Sequence, residues 1–182
     1  MKIMIAVPTG GDVRVNMVNW LLSFDRMGHE CHIMVSELRP IEKNRKHIRQ
    51  AFLDSGCDYL FQIDSDMQPP KNLLKMVDNK LDVCSADIRT IKGNQVVRLA
   101  LSEVKPNEYG LATSDKELFE CDAVGGGCLL TSRKVMEAID YNYMSSEIPA
   151  EDFDWCKRAK TAGFRIHMDT RYHSVHYTIC PL

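Results

Sequence analysis

The 182-residue sequence predicts an α/β fold with a mixed, mostly parallel central sheet flanked by helices. Three observations lead there. Short apolar, β-favouring runs at Lys2–Val7, Cys31–Val35, Tyr59–Ile63 and Val83–Ile88 are the length of buried strands and too short for core helices. Between the first three, the apolar residues change to helical spacing, which gives the strand-helix-strand order that feeds a parallel sheet. Hydrophobic residues make up 45% of the chain, enough at this length to remove about two-thirds of the unfolded surface from water without disulfides or a structural metal.

In chain order, the first strand ends at Pro8. Met17, Trp20, Leu21 and Phe24 then mark a helix expected to stop near Gly28. A second helix, from about Lys43 to Ser55, carries Ile48, Ala51 and Phe52 on one face. After Pro69 and Pro70, the residues Leu73, Leu74 and Val77 predict a short proline-started helix. The second half is less regular. Gln95–Leu101 alternates like an exposed strand, and Leu111–Glu117 is polar and reads as a loop. A strand and turn at Ala123–Leu130, a helix near Ser132–Ile139, a loop to Pro149, a helix over Glu151–Ala162 stopped by Gly163 and a last strand at Arg165–Met168 complete the pattern. No repeat or linker composition interrupts it, so one domain over 1–182 is expected.

Composition narrows the function. Lys+Arg 23 against Asp+Glu 25 gives a net charge of -2, which supplies no basic field for a phosphate backbone and excludes nucleic acid as the expected partner. The seven cysteines are an odd, scattered set without a C-x-x-C pair, so they read as reduced residues, most of them in the core. Cys180 also stands in the wrong place for prenylation. Met1–Val7 is too short for a signal peptide and no run reaches transmembrane length, so a cytoplasmic location is the expectation.

The chemistry concentrates where the third strand ends. Asp64-Ser65-Asp66 follows an apolar run directly, and residues two apart on extended chain project to one side, so both carboxylates can converge on a cation at the sheet's ligand-binding edge. Hard carboxylate oxygens suit Mg2+ or Mn2+. The plainer alternative is a solvated turn whose Asp caps the next helix. A second cluster, Glu151-Asp152, opens a helix, where acids also serve simply as caps, and neighbours at i and i+1 point apart, so one at most acts directly. His173 and His176 lack further ligands for a zinc site. One of them can instead join the carboxylates. Gly125-Gly126-Gly127 is either a close-approach bend or a turn. With no Gly-Lys-Ser/Thr after it, it is not a P-loop.

Taken in order, Val7-Pro8-Thr9, Asn44-Arg45, Asp58-Tyr59-Leu60 leading to Asp64-Ser65-Asp66, Gly125-Gly126-Gly127-Cys128, Glu151-Asp152 and His176 resemble the GT-A glycosyltransferases, closest to the family-2-like nucleotide-sugar transferases. The resemblance runs from Met1 to about Tyr177. It implies a nucleotide-binding half over about 1–90 and an acceptor and catalytic half over about 91–182. Pro8 and Thr9 would border the nucleotide and Arg45 would face it. Asp64 would meet the ribose or the metal's water shell, and Asp66 would ligate Mn2+ or Mg2+ together with His176, with His173 as the competing ligand. Gly126 and Gly127 would approach the donor sugar by backbone. Asp152 would be the catalytic base when the reaction inverts, with Glu151 as the fallback, and its position at a helix N-terminus would lower the Asp152 pKa and keep it ionised. The implied activity is transfer of a hexosyl or N-acetylhexosaminyl group from a UDP- or GDP-sugar to a glycan, lipid-linked or other hydroxyl acceptor. A Mg2+-dependent phosphohydrolase using the same Asp pair and a non-catalytic nucleotide-sugar binder are the alternatives.

Overall fold

In the computed structural model, which describes residues 1–92, 95–105, 108–141 and 151–177, the sheet grows outward from β1 (Lys2–Thr9). Every residue of β1 from Ile3 onward is buried, as a continuous apolar run requires. It lies between β2 (Glu30–Glu37) and β3 (Tyr59–Ile63) and runs parallel to both. The connections are α1 (Val15–Ser23) and α2 (Ile41–Ser55), which pack on opposite faces. Helix α1 gives way to extended backbone at Phe24, ahead of the expected stop at Gly28.

Beyond β3, β11 (Cys128–Ser132) is inserted antiparallel, followed by β5 (Val83–Lys92) and then β12 (Ile166–His176), which runs parallel to β5. Strands β2, β1, β3, β5 and β12 therefore share one direction, with β11 inverted among them. The short β4 (Met67–Gln68) pairs with the far end of β12, β6 (Gln95–Arg98) with β5, and β9 (Leu118–Cys121) with β12, so that nine strands among the described residues form one sheet. A smaller sheet joins β10 (Ala123–Val124), β7 (Ala100–Lys105) and β8 (Glu108–Leu111).

Alternation sorts the core into two layers. Met4, Ala6, Leu60 and Leu129 face Ile48, Phe52, Val135, Met136 and Trp155 of α2, α3 (Arg133–Ala138) and α4 (Glu151–Thr161). Ile3, Ile5, Val7, Phe61, Ile63 and Leu130 face Met17 and Trp20 of α1 and Leu73, Leu74 and Val77 of the 3₁₀ helix Leu73–Asn79. Among the described cysteines all six are free and five are buried. Cys180 and the loop to Pro149 lie outside the described residues. No described helix is long and apolar enough to cross a membrane.

Three elements depart from expectation. The alternation at 95–101 is two strands, because Leu99 bonds backward to the Ile88 carbonyl and its own carbonyl accepts the Gly125 N–H, which turns the chain from one sheet to the other. Leu111 closes β8 before the loop begins. Strand β12 continues well past Met168, since the polar Asp169 is buried but satisfied by Arg171 and Asn79. A register shift between Asp169 and His173 then carries the strand's second half out to β4.

Candidate active site

Strand β3 delivers Asp64, Ser65 and Asp66 to its carboxyl edge. There the ladder ends: the Asp64 N–H donates to the Gly127 carbonyl at 2.9 Å and the Met67 N–H to the Asp64 carbonyl at 3.0 Å, so the acids stand on a tight turn into β4. The turn breaks the two-residue alternation, and the carboxylates part. Asp64 Oδ1 meets Arg45 Nη2 at 3.1 Å, while Asp66 Oδ2 meets His176 Nε2 at 3.3 Å.

The second half of β12 brings His176 there, in register with Met67, and the Tyr177 N–H bonds the Asp66 carbonyl at 2.9 Å. His173 is placed elsewhere, with Nδ1 3.1 Å from the Asp87 carbonyl oxygen. The hydrogen bond to His176 holds the Asp66 carboxyl below its ordinary pKa, and the same bond lifts that of His176. Burial raises the pKa of Asp64, Arg45 opposes the shift, and Asp66 and Glu151 add to it.

Arg45 holds the site together from below. On α2, Arg45, Ile48 and Phe52 recur at helical spacing on the buried face, and Arg45 occupies the turn nearest the strand ends. It is 2% exposed. Its Nε donates to Glu151 Oε1 at 3.2 Å and its Nη2 to Asp64, while Nη1 lies 3.5 Å from both Gln62 Oε1 and the Gly126 carbonyl oxygen. Arg45 is thus buried and spends its donors on the two carboxylates. Its neighbour Asn44 ties the ends of β1 and β2, donating to the Thr9 and Ser36 carbonyls.

Asp152 both caps and reaches inward: Oδ1 accepts its own helix's Phe153 N–H at 2.9 Å, and Oδ2 accepts the Gly126 N–H at 2.8 Å. Its pKa corrects the sequence expectation. Burial, followed by the neighbouring Glu151 charge, raises it against the lowering effect of the Gly126 N–H, Arg45 and the Phe153 N–H. Gly126 has ordinary backbone angles, and what it needs is room. A β-carbon there would stand 3.0 Å from Arg45 Nη2 and 3.2 Å from Asp152 Cβ. At Gly127 it would meet Asp64 Oδ2, Ile88 and Met67 at 3.4 Å. The triple glycine is therefore where the acidic loop, α2 and α4 close on one another.

Two clefts border these groups. One, of about 540 Å³, is lined by Pro8, Thr9, Arg39, Ile41, Asp64 and Asp66. The other, of about 300 Å³, is lined by Arg89, Thr90, His173 and His176. Sequence reasoning missed what lies under and beside them. Gln62 is a fully buried amide that donates to the Tyr141 hydroxyl at 2.5 Å, and its signal was a lone polar residue inside an apolar strand. Arg89 and Arg98 are cross-strand partners on β5 and β6, a like-charge pairing that demands a shared acid, which Asp87 supplies. Among the described residues, no three His, Cys, Asp or Glu side chains stand together as a metal site complete in itself.

No family model and no curated protein matches this chain. Solved structures do. A197 from STIV matches over 98% of this chain and 87% of its own, with a TM-score of 0.74 at 17% identity. GalNAc-T7, crystallised with UDP, GalNAc and Mn2+, matches over 98% of this chain with a TM-score of 0.67 at 10% identity. S. aureus TarS matches over 98% with a TM-score of 0.61 at 15% identity. The chain spans 44% of GalNAc-T7 and 37% of TarS. At these identities the likeness is one of fold, and that fold is the mixed, mostly parallel GT-A-type α/β sheet.

Proposed function

We propose that this chain is a GT-A glycosyltransferase domain, family-2-like, that moves a sugar from a UDP- or GDP-sugar to a hydroxyl acceptor with Mn2+ or Mg2+. The observation that carries the reading is that Asp64, held by Arg45 together with Glu151, and Asp66, bonded to His176, both line the cleft bordered by Pro8 and Thr9. The fold it shares with a protein crystallised with UDP, GalNAc and Mn2+ supports the same assignment.

The site's chemistry fits a divalent cation. Four carboxylates, Asp64, Asp66, Glu151 and Asp152, stand near the Arg45 guanidinium and the His176 imidazole, a set rich in hard oxygen donors. Asp66 and His176 would hold the ion, and two protein ligands suffice for a cation that keeps waters and takes phosphate oxygens in its other positions. When bound, it would stabilise the negative charge that develops on the departing diphosphate.

The chain's own residues account for the rest. Pro8 and Thr9 form a wall for the nucleotide, and Asp64, fixed by Arg45, presents its second oxygen to the ribose or to the ion's water shell. Gly127, half-buried, would approach the donor sugar by backbone, while the buried Gly126 holds Asp152 through its N–H. As the acceptor oxygen attacks the anomeric carbon, the bond from that carbon to the diphosphate oxygen breaks with its electron pair on the leaving group, and Asp152 takes the hydroxyl proton. A raised pKa suits that task, because a base works best near the operating pH. Glu151, held by Arg45, is the positioning acid.

A thermal-shift panel of nucleoside diphosphates with and without Mn2+, followed by a transfer assay with the matching nucleotide sugar, tests the reading. UDP or GDP should raise the melting temperature only with the metal present. A response to neither, or one unchanged by chelator, would refute the metal-dependent donor site. Phosphate release from simple phosphomonoesters with no turnover of nucleotide sugars would favour a phosphohydrolase instead.

A further inference from the structure

Beside the donor cleft stands a second built constellation. Asp87, on β5, has a side chain only 1% exposed, and burial alone would raise its pKa. Arg89 and Arg98 reverse that by donating to it. Arg98 Nε bonds Oδ1 at 2.7 Å, while Arg89 bonds Oδ2 through Nε at 3.1 Å and Nη2 at 2.9 Å. One carboxylate thus braces two guanidiniums, and His173 Nδ1 lies 3.5 Å from the same carboxylate. Both forks retain N–H groups without a protein acceptor among the described residues: Nη1 of Arg89 and both Nη atoms of Arg98. Such a braced pair has a surplus positive charge and pre-aimed donors in the planar geometry that oxyanions take.

The placement decides on which side of the Asp66–His176 pair the anion would sit. Arg89 lines the cleft it shares with His176 and a neighbouring cleft of about 460 Å³ that also holds Arg98 and Thr113. Neither arginine lines the cleft of Pro8, Thr9 and Asp64. The Asp66–His176 pair lies between, since Asp66 borders the donor cleft and His176 the arginine side.

We infer that Arg89 and Arg98, braced by Asp87, form an anion site on the acceptor side, which takes a phosphomonoester carried by the acceptor. The inference rests on the transferase reading only in naming the ligand as acceptor, because the anion site itself is testable without turnover. Its chemistry is that of a phosphomonoester, whether on a soluble sugar phosphate or at a lipid headgroup.

The test measures binding to the full chain of inorganic phosphate, glycerol 3-phosphate and vesicles of phosphatidylcholine with or without phosphatidic acid, beside binding of UDP with Mn2+. Removing one arginine would leave Asp87 buried and short of charge. The informative variant is therefore the triple Asp87→Asn, Arg89→Gln, Arg98→Gln, in which no ion is stranded. Saturable binding of the free phosphates identifies a soluble source, and binding only to phosphatidic acid vesicles identifies a headgroup. In either case the triple variant should bind at least about tenfold more weakly, the worth of one lost charge-assisted hydrogen bond, with UDP–Mn2+ binding unchanged. No anion binding in the parent chain, full retention in the triple variant, or equal loss of UDP–Mn2+ binding would overturn the inference. The last result would assign the arginines to the donor diphosphate. Failure of UDP to bind the parent chain while phosphate still binds would instead count against the donor reading and leave the anion site standing.

Discussion

Asp66 Oδ2 and His176 Nε2 stand 3.3 Å apart, and each side chain lines a different cleft. They lie 110 residues apart in sequence and meet because β12 overruns the core sheet and pairs with β4. Asp66→Ala and His176→Ala should each weaken Mn2+-supported UDP binding by at least about tenfold, a loss of roughly 1.4 kcal/mol. Melting curves with UDP, with and without Mn2+, check this. Equal metal-dependent shifts in parent and variants would exclude the pair as ligands.

Arg45→Met should be the most destabilising change at the site. It strands Asp64 and Glu151, and breaking a buried ion pair costs about 3–5 kcal/mol. Because a third of the Asp64 side chain remains exposed, the lower end of that range is expected. Urea unfolding measures it. Arg45→Lys should recover little, since one ammonium cannot span both carboxylates. A loss below about 1 kcal/mol for Arg45→Met would mean that the guanidinium does not brace the site.

Asp152→Asn separates stability from activity. A carboxyl whose folded pKa lies above the unfolded value near 3.9 binds more protons folded than unfolded, so stability falls as pH rises through that interval and stays lower above it. The amide removes that cost. Because the amide oxygen can accept only one of the Gly126 and Phe153 N–H groups, the variant's melting temperature at pH 7 should stay close to the parent's, while turnover drops by about 10²- to 10⁴-fold and donor binding persists. Unchanged turnover would assign the proton to another group.

Gly126→Ala adds a β-carbon where Arg45 and Asp152 already close the space. Overpacking of this kind costs about 1–3 kcal/mol, and turnover should fall with it as both side chains shift. Calorimetry and transfer rates on one preparation check both. A variant that matches the parent in both would show that the loop has slack.

Acid should weaken the fold partly through Asp87. Burial alone would raise its pKa, but Arg98 and Arg89 outweigh burial and hold it below the ordinary value. Its contribution is therefore complete above about pH 4, the unfolded pKa, and is lost as pH falls through the lower folded one. Unfolding free energies of Asp87→Asn between pH 2 and 6 should show a shallower acid slope than the parent. An identical slope would remove Asp87 from the account.

How far the sequence spoke depended on what each residue's surroundings demanded. Strand β3 was legible to the residue, because Tyr59–Ile63 is an apolar run closed by acids, a pattern with few other homes. The second half of β12 was not. Asp169 and Arg171 look like loop residues until their mutual bond and Asn79 make burial tolerable, and no local rule anticipates a partner so distant in sequence. The two-residue β4 exists only because β12 arrives beside it. Whereas His176 could be preferred to His173 only through the family resemblance, Asp64 and Asp66 could be singled out from residue type and position. The placement of Arg45 could not, because an arginine in the first turns of a polar helix ordinarily faces water.

Strand β12 also links the site to the core. Its first residues, Ile166–Met168, are locked between β5 and β9, and its last hold His176 against β4. Because one strand spans both, through the register shift between Asp169 and His173, loosening at the ligand edge pulls on hydrogen bonds deep in the sheet. Amide exchange at Val175 and His176 should then slow in step with that of Ile166 when a nucleotide binds, the signature of one cooperative unit rather than a detachable flap.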